Sequence, residues 1–196
     1  MQQEKMRRFA EAIFLTRAMR SSLTVDGLYA ALHVASAPAP VTFEAFSEAI
    51  GKPYNSAAIQ AAQLSEGRAN LPGSGLLERI PGADRKQKLL RPTFLGLHMM
   101  SLYADGKRDE ARTIIRRNVM PALASFRKEA PGMSVTTLSV FLFCAENRDA
   151  FLSADVGYGA LLSPLGANNL PNHVARLQDP AGDGSRSEER RVGKEC

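Results

Sequence analysis

The chain has 196 residues, of which 44% are hydrophobic and 23% are charged. These values are ordinary for a globular protein and exclude a wholly disordered or collagen-like chain. No stretch approaches the about 20 consecutive apolar residues of a membrane-spanning helix. The charged, amphipathic start also lacks the apolar segment of a secretory signal. We therefore expect a cytoplasmic protein with no membrane partner.

The formal net charge of +5 is unevenly distributed along the chain. Residues 1–130 hold 19 lysines and arginines against 12 acids, whereas residues 131–185 hold two arginines against five acids. A basic segment favours polyanions such as nucleic acid. Two cysteines are too few for a disulfide framework, and neither a glycine-rich phosphate loop nor an HExxH motif is present. We expect no enzyme activity, no cofactor and no bound metal.

Apolar residues at spacings of three and four predict four helices in the first third of the chain. Pro38 stops the second helix, because proline has no backbone N–H to donate. Thr42 is the expected N-cap of the third helix and Gly51 its expected end, while Pro53 fits the first turn of the fourth. The four segments are 3–19, 25–37, 43–51 and 53–64.

The middle of the chain changes to turn-rich sequence. A glycine- and proline-rich stretch over 67–75 predicts a loop. Two short runs, 76–80 and 87–92, flank a Pro/Gly/Asp turn and predict a β-hairpin. Helices are expected again over 93–103 and 109–129. This order predicts a mainly α protein with a small β-hairpin wing, an α+β fold of winged helix-turn-helix outline.

The residues from 75 to 96 read GLLERIPGADRKQKLLRPTFLG. A Gly-Leu-Leu-x-Arg strand precedes an Asp-Arg-Lys turn, and a second strand leads to Thr-x-x-Gly at the start of the next helix. This pattern resembles the wing of the MarR-type family of transcription regulators. The spacing from Gly51 to Leu64 also resembles the recognition helix of that family. The matching wing residues are Gly75, Leu76, Leu77, Arg79, Asp84, Arg85, Lys86, Thr93 and Gly96.

The resemblance covers residues 5–130 and implies a winged helix DNA-binding domain with flanking helices over 1–130. It implies a transcriptional regulator whose partner is double-stranded DNA. In this family the flanking helices form a homodimer interface, and a small-molecule effector is a further expected partner. Residues 67–75 are an insertion relative to the family, which we interpret as a flexible loop.

Residues 53–64 are the expected recognition helix in the major groove, where amide and hydroxyl side chains can contact base edges. Ala57, Ala61 and Leu64 are then expected to face the core. The wing over 76–92 holds five cations, which suit the phosphate backbone or the minor groove. The expected DNA-binding residues are Lys52, Tyr54, Asn55, Ser56, Gln60, Gln63, Arg85, Lys86 and Lys88.

Two other functions remain open at this point. The first is a winged-helix interaction module of a replication, partition or chromosome-organising assembly, whose docking helix would expose Ile59 and the alanines as an apolar patch. The second is a homodimeric sensor without DNA binding. The cations of the long helix are expected to form a solvated polar face. They are Arg112, Arg116, Arg117, Arg127 and Lys128.

Residues 23–37 and 133–147 share a pattern of apolar positions. Val25, Leu28, Leu32 and Ala35 recur 110 residues later as Val135, Leu138, Leu142 and Ala145. A period of this length predicts a domain duplication, with residues 131–185 as a second, incomplete winged-helix unit. Chance similarity between two amphipathic helices is the alternative.

The last eleven residues, 186–196, read RSEERRVGKEC. They resemble the in-frame translation of a DNA-sequencing adapter. The resemblance implies a disordered, artefactual tail, and a natural sequence that continues differently after Ser185.

Overall fold

Helices make up most of the described chain. The computed structural model describes residues 2–68, 71–83 and 87–146. A π-helical turn, Ile115–Val119, joins two helices of the predicted 109–129 segment. The helices are α1 (Gln2–Met19), α2 (Val25–Ala35), α3 (Phe43–Ile50), α4 (Tyr54–Leu64), α5 (Phe94–Ser101), α6 (Arg108–Ile114), α7 (Met120–Glu129) and α8 (Val135–Glu146).

The helix ends follow local chemistry. The Thr42 hydroxyl accepts a hydrogen bond from the Ala45 N–H at 3.1 Å, and Gly51 ends α3 with φ at +66°. Both ends of α3 are therefore confirmed, since a left-handed residue after a helix favours glycine. Thr93 caps α5 in the same way by accepting from the Gly96 N–H at 3.1 Å.

Three strands form a small antiparallel sheet in the order β1-β5-β4, and two others form a separate pair. The hairpin predicted around residues 81–87 is confirmed as β4 and β5, with Arg79 opposite Leu90. The first strand pairs Val41 with Leu90 and was not predicted, because two residues carry no periodic signal. The strands are β1 (Val41–Thr42), β2 (Gly67–Arg68), β3 (Leu71–Pro72), β4 (Leu77–Pro81) and β5 (Lys88–Pro92).

The segment 67–75 is not the flexible loop that its composition predicts. Strands β2 and β3 pair with each other, and the chain then returns onto the end of α4. The Ser74 N–H donates to the Gln63 carbonyl at 2.8 Å, and the Gly75 N–H donates to the Ser65 carbonyl at 3.0 Å. The last carbonyls of a helix lack partners within the helix, and here the insertion supplies them.

Helix α2 lies at the centre of the hydrophobic core. It packs against α3, α5, α7 and β5, while α1 packs against α8. Leu28, Leu32, Phe46 and Leu90 are fully buried in this core. Residues 147–185, which include most of the predicted second unit, lie outside the described residues. Within the described part, no helix has both the length and the apolar character needed to cross a membrane.

Candidate nucleic-acid interface

The predicted recognition helix is present as α4, and its small residues face inward. Ala57, Ala61 and Leu64 are at most 2% exposed, which confirms their expected place in the core. The outer face of α4 carries mostly polar groups. Its exposed side chains are Tyr54, Asn55, Ser56, Ile59 and Gln63.

Two of the expected DNA-binding residues bind each other. The Lys52 Nζ donates to the Gln60 Oε1 at 3.0 Å and to the Asp26 Oδ2 at 2.7 Å. Gln60 is only 7% exposed, so its amide takes part in this network and is not displayed on the outer face. Lys52 is partly exposed and lies at the start of α4, between protein partners and solvent.

Asp26 links the start of α4 to a distant helix. The Arg127 Nε donates to the Asp26 Oδ1 at 2.6 Å, and the Arg127 Nη2 donates to the Ile50 carbonyl at 2.6 Å. Burial raises the pKa of the Asp26 carboxyl, but the hydrogen bonds and charges of Lys52 and Arg127 outweigh it and lower the pKa overall. The carboxylate therefore stays ionised and fixes both cations.

An open groove of about 860 Å³ lies beside the outer face of α4. Its charged lining residues are Arg20, Asp26 and Lys52. Since Asp26 already binds two cations, the lining presents positive charge. The Arg20 Nε is buried and has no hydrogen-bond partner among the described residues. An anion such as a phosphate oxygen would supply that partner.

Further lining residues add hydroxyl and amide groups to the groove. Ser56 and Gln63 belong to α4, Ser22 and Thr24 precede α2, and Ser74 follows the β2–β3 pair. The insertion after α4 therefore forms one wall of the groove that the recognition helix faces.

The wing carries less unbalanced charge than its composition suggests. The Arg91 Nε lies 2.6 Å from the Glu78 Oε1 across the β4–β5 hairpin, and the Arg79 Nη1 lies 3.4 Å from the Glu66 Oε1. Lys88 is exposed at the hairpin. The two remaining predicted wing contacts lie outside the described residues. They are Arg85 and Lys86.

The interpretation of the long-helix cations as a solvated face is wrong for two of them. The Arg127 and Arg112 side chains are each only 17% exposed, the first against Asp26 and the second against Asp109. The other three are exposed as expected. They are Arg116, Arg117 and Lys128.

Sequence reasoning missed Arg20, Asp26 and Arg127 as members of the site. An acid in the first turn of a helix is favourable by itself, so Asp26 gave no sign of a distant partner. Arg20 follows an amphipathic helix, where an arginine is ordinary. The separation of 101 residues between Asp26 and Arg127 hides their contact from any local pattern.

Comparisons of this chain with protein-family models, with curated proteins and with solved structures find no match.

Proposed function

We propose that this protein is a DNA-binding transcriptional regulator of MarR-like, winged helix type. Helix α4 enters the major groove, and the β4–β5 hairpin lies on the backbone or in the minor groove. The order α2, β1, α3, α4, β4, β5 supports the winged helix, because β1 completes a three-stranded sheet beside the two short helices. The insertion β2–β3 interrupts this order only between α4 and β4.

The outer face of α4, beside a cationic groove, is the observation that carries the proposal. A helix that docks on another protein would expose its small apolar residues, whereas Ala57 and Ala61 are buried. Asn55, Ser56 and Gln63 are displayed, and such side chains suit base edges or phosphates.

The groove adds the electrostatic support that α4 lacks. Tyr54–Leu64 contains no charged residue, so base contacts alone would leave the DNA backbone unbalanced. Arg20 and Lys52 line the groove beside it and could each approach a phosphate. Phosphate contacts of this kind supply most of the sequence-independent affinity for DNA.

Fluorescence anisotropy of the full chain with mixed-sequence duplex DNA, over a series of salt concentrations, tests the proposal. Binding should weaken steeply as salt rises. Arg20→Gln should weaken binding about tenfold and reduce the slope of log K against log salt by about 0.9, the value for one lost phosphate contact.

Arg7→Gln is the matched control. Arg7 is exposed, pairs with Glu11 at 3.0 Å, and lies about 20 Å from Arg20 along α1. It removes the same charge away from the groove, so binding should barely change. The double variant Arg85→Ala with Lys88→Ala should weaken binding to all sequences if the wing contacts the backbone.

A second candidate function is docking on another protein through α4. It is favoured by Ile59 and Tyr54, which are 38% and 53% exposed on the outer face. Weak DNA binding by the unmodified chain, with a shallow dependence on salt, would contradict the first proposal and favour this one. Ile59→Ser should then abolish partner binding, whereas a DNA-binding helix should tolerate it.

A further inference from the structure

Two helical segments of the chain correspond to each other at a constant shift of 110 residues. The first comprises α1 and α2, and the second comprises residues 112–129 and α8. Positions that match under this shift are buried in both segments, at no more than 3% exposure. These pairs are Ile13 and Leu123, Val25 and Val135, Leu28 and Leu138, and Leu32 and Leu142.

The two segments meet through reciprocal hydrogen bonds. The Val25 N–H donates to the Met133 carbonyl at 2.8 Å, and the Val135 N–H donates to the Leu23 carbonyl at 2.8 Å. The shift of 110 turns Val25 into Val135 and Leu23 into Met133, so each bond is the image of the other. Such self-complementary pairing is the property of a two-fold axis.

The residues at the centre of this contact repeat the same chemistry. Thr24 and Ser134 face each other in an antiparallel bridge and match under the shift. The Thr24 hydroxyl caps α2 by accepting from the Gly27 N–H at 3.0 Å. The Ser134 hydroxyl accepts from the Thr137 N–H at 2.9 Å, three residues on in the same way.

The long helices are exchanged between the two segments. Helix α1 packs against α8, and α7 packs against α2. Matching arginines make matching contacts across these pairs. The Arg17 Nη1 lies 3.4 Å from the Ser139 hydroxyl, and the Arg127 guanidinium lies 4.2 Å from the centre of the Tyr29 ring. Arg17 matches Arg127, and Tyr29 matches Ser139.

We infer that residues 2–35 and 112–145 are two copies of one helical pair. A single chain thus forms within itself the two-fold interface that would otherwise join two subunits. The partner that covers α1 is the second copy in the same chain. This inference does not depend on the proposed function, and it predicts a monomer where the family resemblance implies a homodimer.

The two copies have diverged in the residues that matter at the groove. Thr136 stands in the second copy where the first has Asp26, and Ser139 stands in place of Tyr29. The second copy therefore cannot hold an arginine and a lysine as Asp26 does. Its described residues serve as a scaffold for the first.

A disulfide between the two copies tests the inference in the full chain. Thr24 and Ser134 form a pair without mutual hydrogen bonds, so their Cα atoms should lie about 4.5 Å apart, within reach of a disulfide. With Cys144 and Cys196 replaced by serine, Thr24→Cys combined with Ser134→Cys should oxidise to a species of single-chain mass. Thr24→Cys alone is the control and should form no cross-link.

Dimers linked through Thr24→Cys alone would overturn the inference, because they would place the two-fold axis between chains. A folded double variant that fails to form the internal disulfide would also overturn it. Light scattering on the unmodified chain gives a measurement that needs no variant. The expected mass is that of one 21.3 kDa chain at every concentration, and twice that mass would contradict a closed interface.

Discussion

The β4–β5 hairpin and the groove beside α4 both carry cations, but they use them differently. In the hairpin, Arg79 and Arg91 each face a glutamate, so their charges are largely balanced. In the groove, Arg20 has a buried Nε without a partner among the described residues. The number of cations in a segment therefore does not locate the unbalanced positive charge, since pairing across the fold decides it.

The two regions also differ in how strongly their ion pairs should stabilise the fold. Glu78 and Arg91 are about half exposed, and exposed pairs contribute little because water screens them. Asp26 is 20% exposed and binds two cations at once. Removing it would leave Lys52 and Arg127 partly buried without their anion, which is the costlier situation.

The largest effect that separates the regions should come from Asp26→Ala. We expect the free energy of unfolding to fall by about 3 kcal/mol, because two charge-assisted hydrogen bonds are lost and two cations lose their partner. Urea unfolding followed by circular dichroism measures this. Asp109→Ala is the matched control, since Asp109 also binds an arginine at 2.7 Å but is 89% exposed. Equal losses in the two variants would remove the distinction.

Alanine at two glycines compares the same regions through packing. A Cβ at residue 73 would overlap the Ser65 carbonyl oxygen and the Gly67 nitrogen, which are backbone atoms that cannot rotate away. We expect Gly73→Ala to cost about 2 kcal/mol. In the hairpin, a Cβ at residue 82 would meet the exposed Gln87 side chain at 2.8 Å. That side chain can move, so Gly82→Ala should cost less than about 1 kcal/mol. Thermal unfolding of both variants gives the comparison, and a larger loss for Gly82→Ala would contradict it.

Acid should weaken the groove network in a defined direction. Although burial raises the pKa of Asp26, its two cations lower it overall, so the unfolded chain binds the proton more readily than the folded one. The stabilisation from this carboxylate is therefore present above about pH 4 and is lost as the pH falls through the folded-state pKa. Unfolding free energies between neutral pH and pH 3 should fall less steeply for Asp26→Asn than for the unmodified chain. Parallel curves would show that another group governs the acid dependence.

The smallest effect is expected at the hairpin. Glu78→Gln removes the charge that faces Arg91 across β4 and β5 but keeps a hydrogen-bonding oxygen. We expect a loss of at most about 0.5 kcal/mol, and less at high salt. Its effect on DNA binding should be opposite in sign, because Arg91 becomes available to a phosphate. A loss of stability as large as that of Asp26→Ala would show that burial does not separate the two regions.

The sequence predicted the elements whose signals are local. Thr42, Gly51 and Pro53 mark helix ends by their own side-chain or backbone chemistry, and all three lie where expected. The hairpin followed from two short runs around a turn. By contrast, β1 has only two residues, and β2 and β3 lie in a stretch whose composition is typical of loops.

The candidate site was harder to predict because its contacts are distant in sequence. The polar face of α4 followed from helical spacing, yet that spacing does not show that Lys52 holds Gln60 inside. The contact between Asp26 and Arg127 depends on how α7 packs on α2. The shift of 110 residues was visible as a pattern, but its two-fold geometry is a property of the backbone pairing at Thr24 and Ser134.

The π-helical turn at Ile115–Val119 bears on how the length of this protein can vary. Such a turn holds one residue more than the α-helical turn it replaces. Deleting a single residue there would let α6 and α7 continue as one regular helix, with the preceding residues rotated by about 100° around the axis. Residues 108–114 would present another face to water, while Arg127 and α8 would keep their places. A one-residue deletion in the middle of a helix, ordinarily disruptive, should be tolerated at this position.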